Sequence, residues 1–138
     1  MNKVFEQYKD KHVGKRVFLI ANGPSLNDIN LDLLKNEITI AMNRIPIKYN
    51  NTDWRPTYYL FSSTNVRPQK PWHKEWRSSV IESISDESIT SFIADQFRGY
   101  IDPYMLFPNV KWFDKLSENK PDIHGNINES CFSTNVVE

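Results

Sequence analysis

The chain has 138 residues, and its 17 Lys and Arg balance its 17 Asp and Glu, so the formal net charge is zero. This length suits one domain with a buried core, and the absence of a basic field gives no reason to expect nucleic acid or an anionic membrane as a partner. The lone cysteine, Cys131, excludes an internal disulfide framework and CxxC sites. Without a signal-peptide pattern or an apolar stretch of about 18 residues, we expect a cytoplasmic protein with no membrane span.

The first half of the chain alternates apolar runs with helical patterns. Apolar residues at helical spacing predict a helix over 2–12 that stops at Gly14. The run RVFLIA (16–21) predicts a strand buried on both faces. Leucines and isoleucine near one side of 26–34 predict a short or broken helix, and ITIAM (38–42) predicts a second buried strand.

The second half continues the same alternation as far as residue 113. YYLFS (58–62) predicts a third strand, and the amphipathic stretch 71–85, which opens with a proline, predicts a helix. SITSFIA (88–94) and VKWF (110–113) predict the fourth and fifth strands. The polar stretch 117–138 gives no element.

Short buried strands separated by helices or loops predict an α/β protein. We expect one Rossmann-like domain over 1–138 with three layers, in which a mostly parallel sheet of about four to five strands is flanked by helices. Such sheets bind ligands at the carboxyl ends of their strands. Three polar segments follow predicted strands, so the nucleotide-binding candidates are Asn22, Gly23, Pro24 and Ser25; Asn43 and Arg44; and Ser62, Ser63 and Asn65.

The turn after the first strand has the residue types that can hold a phosphate, which needs inward backbone N–H groups with a helix start behind them. Gly23 permits a sharp turn and close approach of a ligand. Pro24 suits a first helical turn, and Ser25 or Asn27 could cap the helix. Ordinary turn chemistry explains Asn-Gly-Pro-Ser equally well, since it is neither a Walker loop nor a full GxGxxG fingerprint.

The neighbouring tips supply complementary groups. Asn22 and Asn43 have the donors and acceptors that read a ribose or a base edge. Arg44 could clamp a phosphate or form a surface salt bridge. No His, Asp or Glu spacing resembles a zinc site, and among the histidines only His124 is placed plausibly for acid–base chemistry.

Three segments in order carry a family resemblance: a strand followed by NGPSL (22–26), NEITIAMNRI (36–45) and WRPTYYLFSS (54–63). Together they resemble the MptE-like (DUF115) family, whose archaeal member is a 6-hydroxymethyl-7,8-dihydropterin diphosphokinase and which looks related to Maf-type flagellin-glycosylation proteins. The GPSL and strand–Asn elements are also similar to family 42 sialyltransferases, which bind a CMP-sugar. The resemblance covers about 14–65.

The resemblance implies a Rossmann-like fold with 22–25 against the nucleotide and Asn43 at the second strand tip. Pterin-kinase-like members often carry an acidic residue at the third tip, where this chain has none over 61–65. Mg²⁺ is therefore expected only if the chain is a diphosphokinase, since a metal beside phosphates wants a carboxylate. Sialyltransferase-like members can carry an amide there, which Asn65 would imitate.

The resemblance leaves three functions open. The first is a nucleotide- or nucleotide-sugar-binding transferase, working by diphosphoryl or glycosyl transfer; the second is a CMP-sugar-dependent sialyltransferase-like enzyme. Family members continue beyond the region matching 130–138, so the chain would correspond to the N-terminal part of a longer domain, and a non-catalytic nucleotide-binding or assembly module is the third. Catalytic residues stay unassigned, and a homo-oligomer is left open.

Overall fold

A parallel sheet organises the residues that the computed structural model describes, which are 3–62 and 71–113, with side chains from 4–62 and 74–113. The strands are β1 (Val17–Ile20), β2 (Ile38–Met42), β3 (Tyr58–Phe61), β4 (Thr90–Ala94) and β5 (Val110–Phe113). The α-helices are α1 (Lys3–Glu6) and α2 (Pro71–Ser85). Short 3₁₀ helices span Pro24–Asp28, Leu31–Leu34, Ile45–Asn51 and Asp95–Tyr100.

The α/β prediction is confirmed, because the five strands form one all-parallel sheet flanked by helices, in a Rossmann-like arrangement. The predicted bounds of β2, α2 and β5 coincide with the observed ones. The helix predicted over 2–12 is wrong beyond Glu6, since hydrogen-bonded turns carry the chain from there to Gly14. Within the described part of the chain, no helix is long and apolar enough to cross a membrane.

The strand order follows the chain, β1-β2-β3-β4-β5. Right-handed crossovers between sequential parallel strands place all their connections on one face. The packing agrees, because one cluster holds buried residues from every crossover, namely Leu26, Leu31, Ile45, Tyr49, Trp76, Val80, Ile84 and Phe97. The described order never reverses, unlike the doubly wound order, whose reversal opens a ligand crevice. Strand order alone therefore selects no tip as the binding site.

The opposite face of the sheet is covered by the N-terminal segment, which we define as residues 4–14. Its residues Val4, Phe5 and Tyr8 pack against a second cluster, whose buried members come from β3, β4 and β5. The ring of Phe5 stacks on Phe92 with centroids 5.1 Å apart. N-terminal segment, sheet and crossovers thus make the three predicted layers.

The N-terminal segment leaves β1 uncovered on its face. Leu19 is 66% exposed and Val17 is 44% exposed. The prediction that 16–21 is buried on both faces is therefore wrong, because β1 is the edge strand and only its crossover side is packed. β3, by contrast, lies at the centre of the sheet and is buried at every position.

Asp32 explains why residues 26–34 form two 3₁₀ turns instead of one helix. Its backbone N–H donates to Oδ1 of Asn30, the N-cap of the second turn, at 3.0 Å. Its carboxylate accepts from the Thr52 hydroxyl at 2.8 Å and from the backbone N–H groups of 53 and 54 at 3.1 Å. These bonds, first among them that from Thr52, lower the pKa of Asp32. The carboxylate thus fixes the turn that leads into β3.

Candidate functional site

The sheet register brings the predicted tips of the first three strands to one edge. Ile20 pairs with Ala41, so Asn22 lies beside Asn43 when both strands are continued by two residues. Met42 pairs with Leu60, which likewise places position 44 beside position 62. Neighbouring strands are about 4.8 Å apart, so the first two tips are within reach of one ligand. Two predicted site residues, Ser63 and Asn65, lie outside the described residues.

The turn after β1 is built differently from the expected phosphate cradle. Gly23 is the N-cap and Pro24 opens the helix, but the helix Pro24–Asp28 is a 3₁₀ helix of 5 residues with no side-chain cap. It is too short for the dipole of a long helix to support an anion. The turn instead offers the N–H groups of Gly23 and Ser25, for which the described residues provide no acceptor. Asn27 is not a cap, because its Oδ1 accepts from Lys48 Nζ.

Gly23 has ordinary dihedrals, with φ −69° and ψ 160°. A Cβ added there would meet only Ser25 Oγ, at 3.8 Å, which is ordinary contact. Neither backbone conformation nor packing therefore requires glycine. The side-chain-free surface of this exposed residue leaves room for a ligand to reach the backbone.

Asn22 closes the end of the sheet between β1 and β2. Its Nδ2 donates to the carbonyl oxygen of Met42 at 2.8 Å. This bond uses one amide hydrogen to hold the two strand ends together and leaves Oδ1 as an acceptor at the exposed edge. Asn22 thus has a structural task besides any contact with a ligand.

Asn43 is the most constrained residue of the edge. Its φ of 54° places it in the left-handed region, and it is only 9% exposed. Its backbone N–H donates to Leu60 O at 3.2 Å, and its carbonyl oxygen accepts from the Tyr59 hydroxyl at 2.6 Å. The side-chain amide has no hydrogen-bond partner in the described part of the chain, and it is not fully enclosed. Strained backbone of this kind is enriched at functional sites, so an asparagine whose amide finds no partner among the described residues marks this tip as a candidate.

Arg44 follows directly and is exposed. The described residues offer it no carboxylate partner, so the surface salt bridge that the sequence left open is not formed with any of them. None of the described carboxylates therefore occupies its guanidinium, which can pair with an anion as far as those residues are concerned. Ser62, the described residue of the third tip, is 5% exposed, and its hydroxyl has no partner among residues 3–62 and 71–113.

A carboxylate that was not among the predicted site residues, Asp95, lies on the same edge. Asp95 follows the last residue of β4 directly and pairs with Arg98, whose guanidinium lies 4.2 Å above the Trp112 ring. The signal was present, since an acidic residue comes straight after the apolar run 88–94. Because it is ion-paired and one strand beyond the third tip, Asp95 is not part of the polar group at β1 and β2.

The donor groups at the described tips of β1, β2 and β3 do not fit Mg²⁺. They are amides, hydroxyls and a guanidinium, whereas Mg²⁺ beside phosphates takes carboxylate oxygens. No group of three His, Cys, Asp or Glu side chains within the described ranges is arranged to hold a metal ion. His124, the acid–base candidate, lies outside those ranges.

The chain was compared with protein-family models, curated proteins and solved structures, and none of them matches it. The candidate site is therefore defined by its geometry: backbone N–H groups at 23 and 25, an amide at Asn43 and a cation at Arg44, none of which has a partner among residues 3–62 and 71–113.

Proposed function

We propose that the chain binds a nucleotide or nucleotide-sugar at the edge formed by 22–25 and 43–44, as a transferase-like protein. The observation that carries the proposal is Asn43, whose backbone is held at the sheet edge. Its amide, like the guanidinium of the adjacent Arg44, has no hydrogen-bond or ion-pair partner among the described residues. A polar group that is mostly buried and unpartnered gains from a ligand that completes its hydrogen bonds. The resemblance to the MptE-like family supports the same ligand class.

The groups divide naturally between the parts of a nucleotide. The N–H groups of Gly23 and Ser25, together with the Arg44 guanidinium, suit a phosphate, because charge-assisted bonds to phosphate oxygens are the strongest available here. The amide of Asn43 and the Oδ1 of Asn22 suit a ribose hydroxyl or a base edge. Both sets meet at adjacent strands, which matches the short span of one nucleotide.

The donor set favours glycosyl transfer over diphosphoryl transfer. A diphosphokinase needs Mg²⁺ beside its phosphates, and the described tips of β1, β2 and β3 do not supply the carboxylates. A CMP-sugar-dependent enzyme of the family 42 type is consistent with amides at the tips. A binding module without catalysis makes the same binding prediction and differs only in showing no turnover.

A thermal-shift panel of ATP, GTP, CTP and CMP, each with and without Mg²⁺, tests the proposal. A nucleotide at about 100 times its Kd adds roughly 2.7 kcal/mol, or a rise in Tm of about 10 °C for a domain of this size. We expect the largest shift for the cytidine nucleotides, independent of Mg²⁺. A shift for ATP that requires Mg²⁺ would favour the diphosphokinase instead.

Gly23→Ala locates the site. The variant should keep the fold, since the added methyl has room, but should lose the nucleotide shift because the methyl covers the backbone that the phosphate approaches. Gly99→Ala is the matched control, because a Cβ there meets nothing within 4 Å and position 99 lies after β4. If no nucleotide shifts the wild-type transition, or if Gly23→Ala binds as well as Gly99→Ala, the proposed site is wrong.

A further inference from the structure

We propose that Tyr59 is a positioning residue of this site, whose buried hydroxyl fixes the left-handed backbone of Asn43 and thereby aims its amide. The inference rests on the proposed function. Tyr59 lies on β3, is 0% exposed, and belongs to the core cluster that the sheet forms with the crossovers. Its hydroxyl donates to Asn43 O at 2.6 Å, which is its one hydrogen bond among the described residues.

Both backbone polar groups of Asn43 are held by β3. The N–H donates to Leu60 O at 3.2 Å, and the carbonyl oxygen accepts from the neighbouring tyrosine on the same strand. These two bonds hold the peptide groups on either side of the Asn43 Cα and thereby stabilise its φ of 54°. The direction of the amide then depends only on the side-chain torsions.

A left-handed backbone is unfavourable for a residue with a Cβ, and asparagine merely tolerates it better than most. Such a conformation persists where surrounding bonds enforce it. Burial raises the pKa of Tyr59 well above its ordinary value, so the hydroxyl keeps its proton and remains a donor. The tyrosine therefore acts as a permanent clamp on the strand tip.

Tyr59→Phe isolates this clamp. The ring that fills the core is retained, and only the hydroxyl is lost. We expect the backbone amide and side-chain NH₂ signals of Asn43 to broaden in ¹⁵N NMR spectra of the free variant. Tyr49→Phe is the matched control, because it removes another buried hydroxyl of the same core, one that is bonded to Ser83 Oγ at 3.0 Å and makes no bond to Asn43. If the Asn43 signals are unchanged in Tyr59→Phe, the inference is wrong. This test needs no ligand.

Binding of CMP supplies the second readout. Tyr59→Phe should weaken CMP binding about tenfold, corresponding to roughly 1.4 kcal/mol, while Tyr49→Phe leaves it unchanged. Since Tyr59 acts through Asn43, the double variant with Asn43→Ala should bind no worse than Asn43→Ala alone. Losses that multiply would show that Tyr59 contributes separately and would refute the positioning role. Failure of wild type to bind CMP counts against the proposed function, while the NMR result still decides whether the clamp exists.

Discussion

Replacing Gly23 with alanine should stabilise the protein, whereas the same change at Gly14 should destabilise it. A Cβ meets only Ser25 Oγ at 3.8 Å at the first position and nothing within 4 Å at the second. Both sites thus have room for a Cβ, and what distinguishes them is the backbone, with φ −69° at Gly23 and φ +73° at Gly14. Alanine at Gly23 restricts only the unfolded chain, a gain of about 0.4–1 kcal/mol. At Gly14 the left-handed cost of roughly 1–2 kcal/mol outweighs that gain.

Urea unfolding followed by circular dichroism measures the difference. With an m value of about 2 kcal/mol/M, the midpoint should rise by roughly 0.2–0.5 M for Gly23→Ala and fall by a similar amount for Gly14→Ala, with m unchanged. Midpoints that move in the same direction would show that φ does not decide the outcome. A variant at 23 that gains stability but loses nucleotide binding would show that the glycine serves the ligand and not the fold.

Three further predictions, tested with four variants, concern the rest of the fold and are measured by urea unfolding. The pKa of Asp32 is lowered, first by the Thr52 hydroxyl, so the carboxylate stabilises the folded state above the unfolded carboxyl pKa of about 3.9, and this stability is lost as pH falls through the folded pKa. Asp32→Asn should make the free energy of unfolding fall less steeply with decreasing pH, and an unchanged dependence would contradict the prediction. Burial raises the pKa of Tyr49 to about 12, so stability present below about pH 10 is lost as pH rises towards 12; Tyr49→Phe should reduce that loss. Phe61→Ala should cost about 3–5 kcal/mol, because Phe61 is fully buried, while Leu33→Ala, at a residue 78% exposed, should stay within about 0.5 kcal/mol; similar losses would disprove the assigned burial.

The strands could be predicted from sequence because each is a short run of apolar and β-branched residues bounded by polar ones or proline. The runs at 38–42 and 110–113 even gave the correct ends. The 3₁₀ helices Ile45–Asn51 and Asp95–Tyr100 were not predicted, since they leave no clear periodic pattern. The break within 26–34 depends on Asp32 bonding residues 20–22 positions further along, which local patterns do not reveal.

The candidate site was predictable only as a set of polar residues following strands. Which of their groups are free depends on partners brought by the register, such as Met42 O for Asn22 and the Tyr59 hydroxyl for Asn43. The exposure of β1 is of the same kind, because an apolar run looks alike at the edge and at the centre of a sheet. Strand order decides whether a strand is at the edge or at the centre, and the periodicity of the sequence carries no information on strand order.

The sequential strand order makes the described sheet a linear array, in which each strand is bonded to its neighbours along the chain. Releasing β1 breaks a single ladder, whereas releasing β2 or β3 breaks two. A strand held by one ladder opens at a lower free energy than a strand held by two, so the amides of β1 should exchange with solvent before those of β3. The edge that holds 22–25 thus belongs to the part of the sheet that opens most readily. A ligand bridging β1 and β2 would therefore slow hydrogen exchange of the β1 amides more than that of any other strand. It would hold the edge strand, which no described segment covers on its outer face.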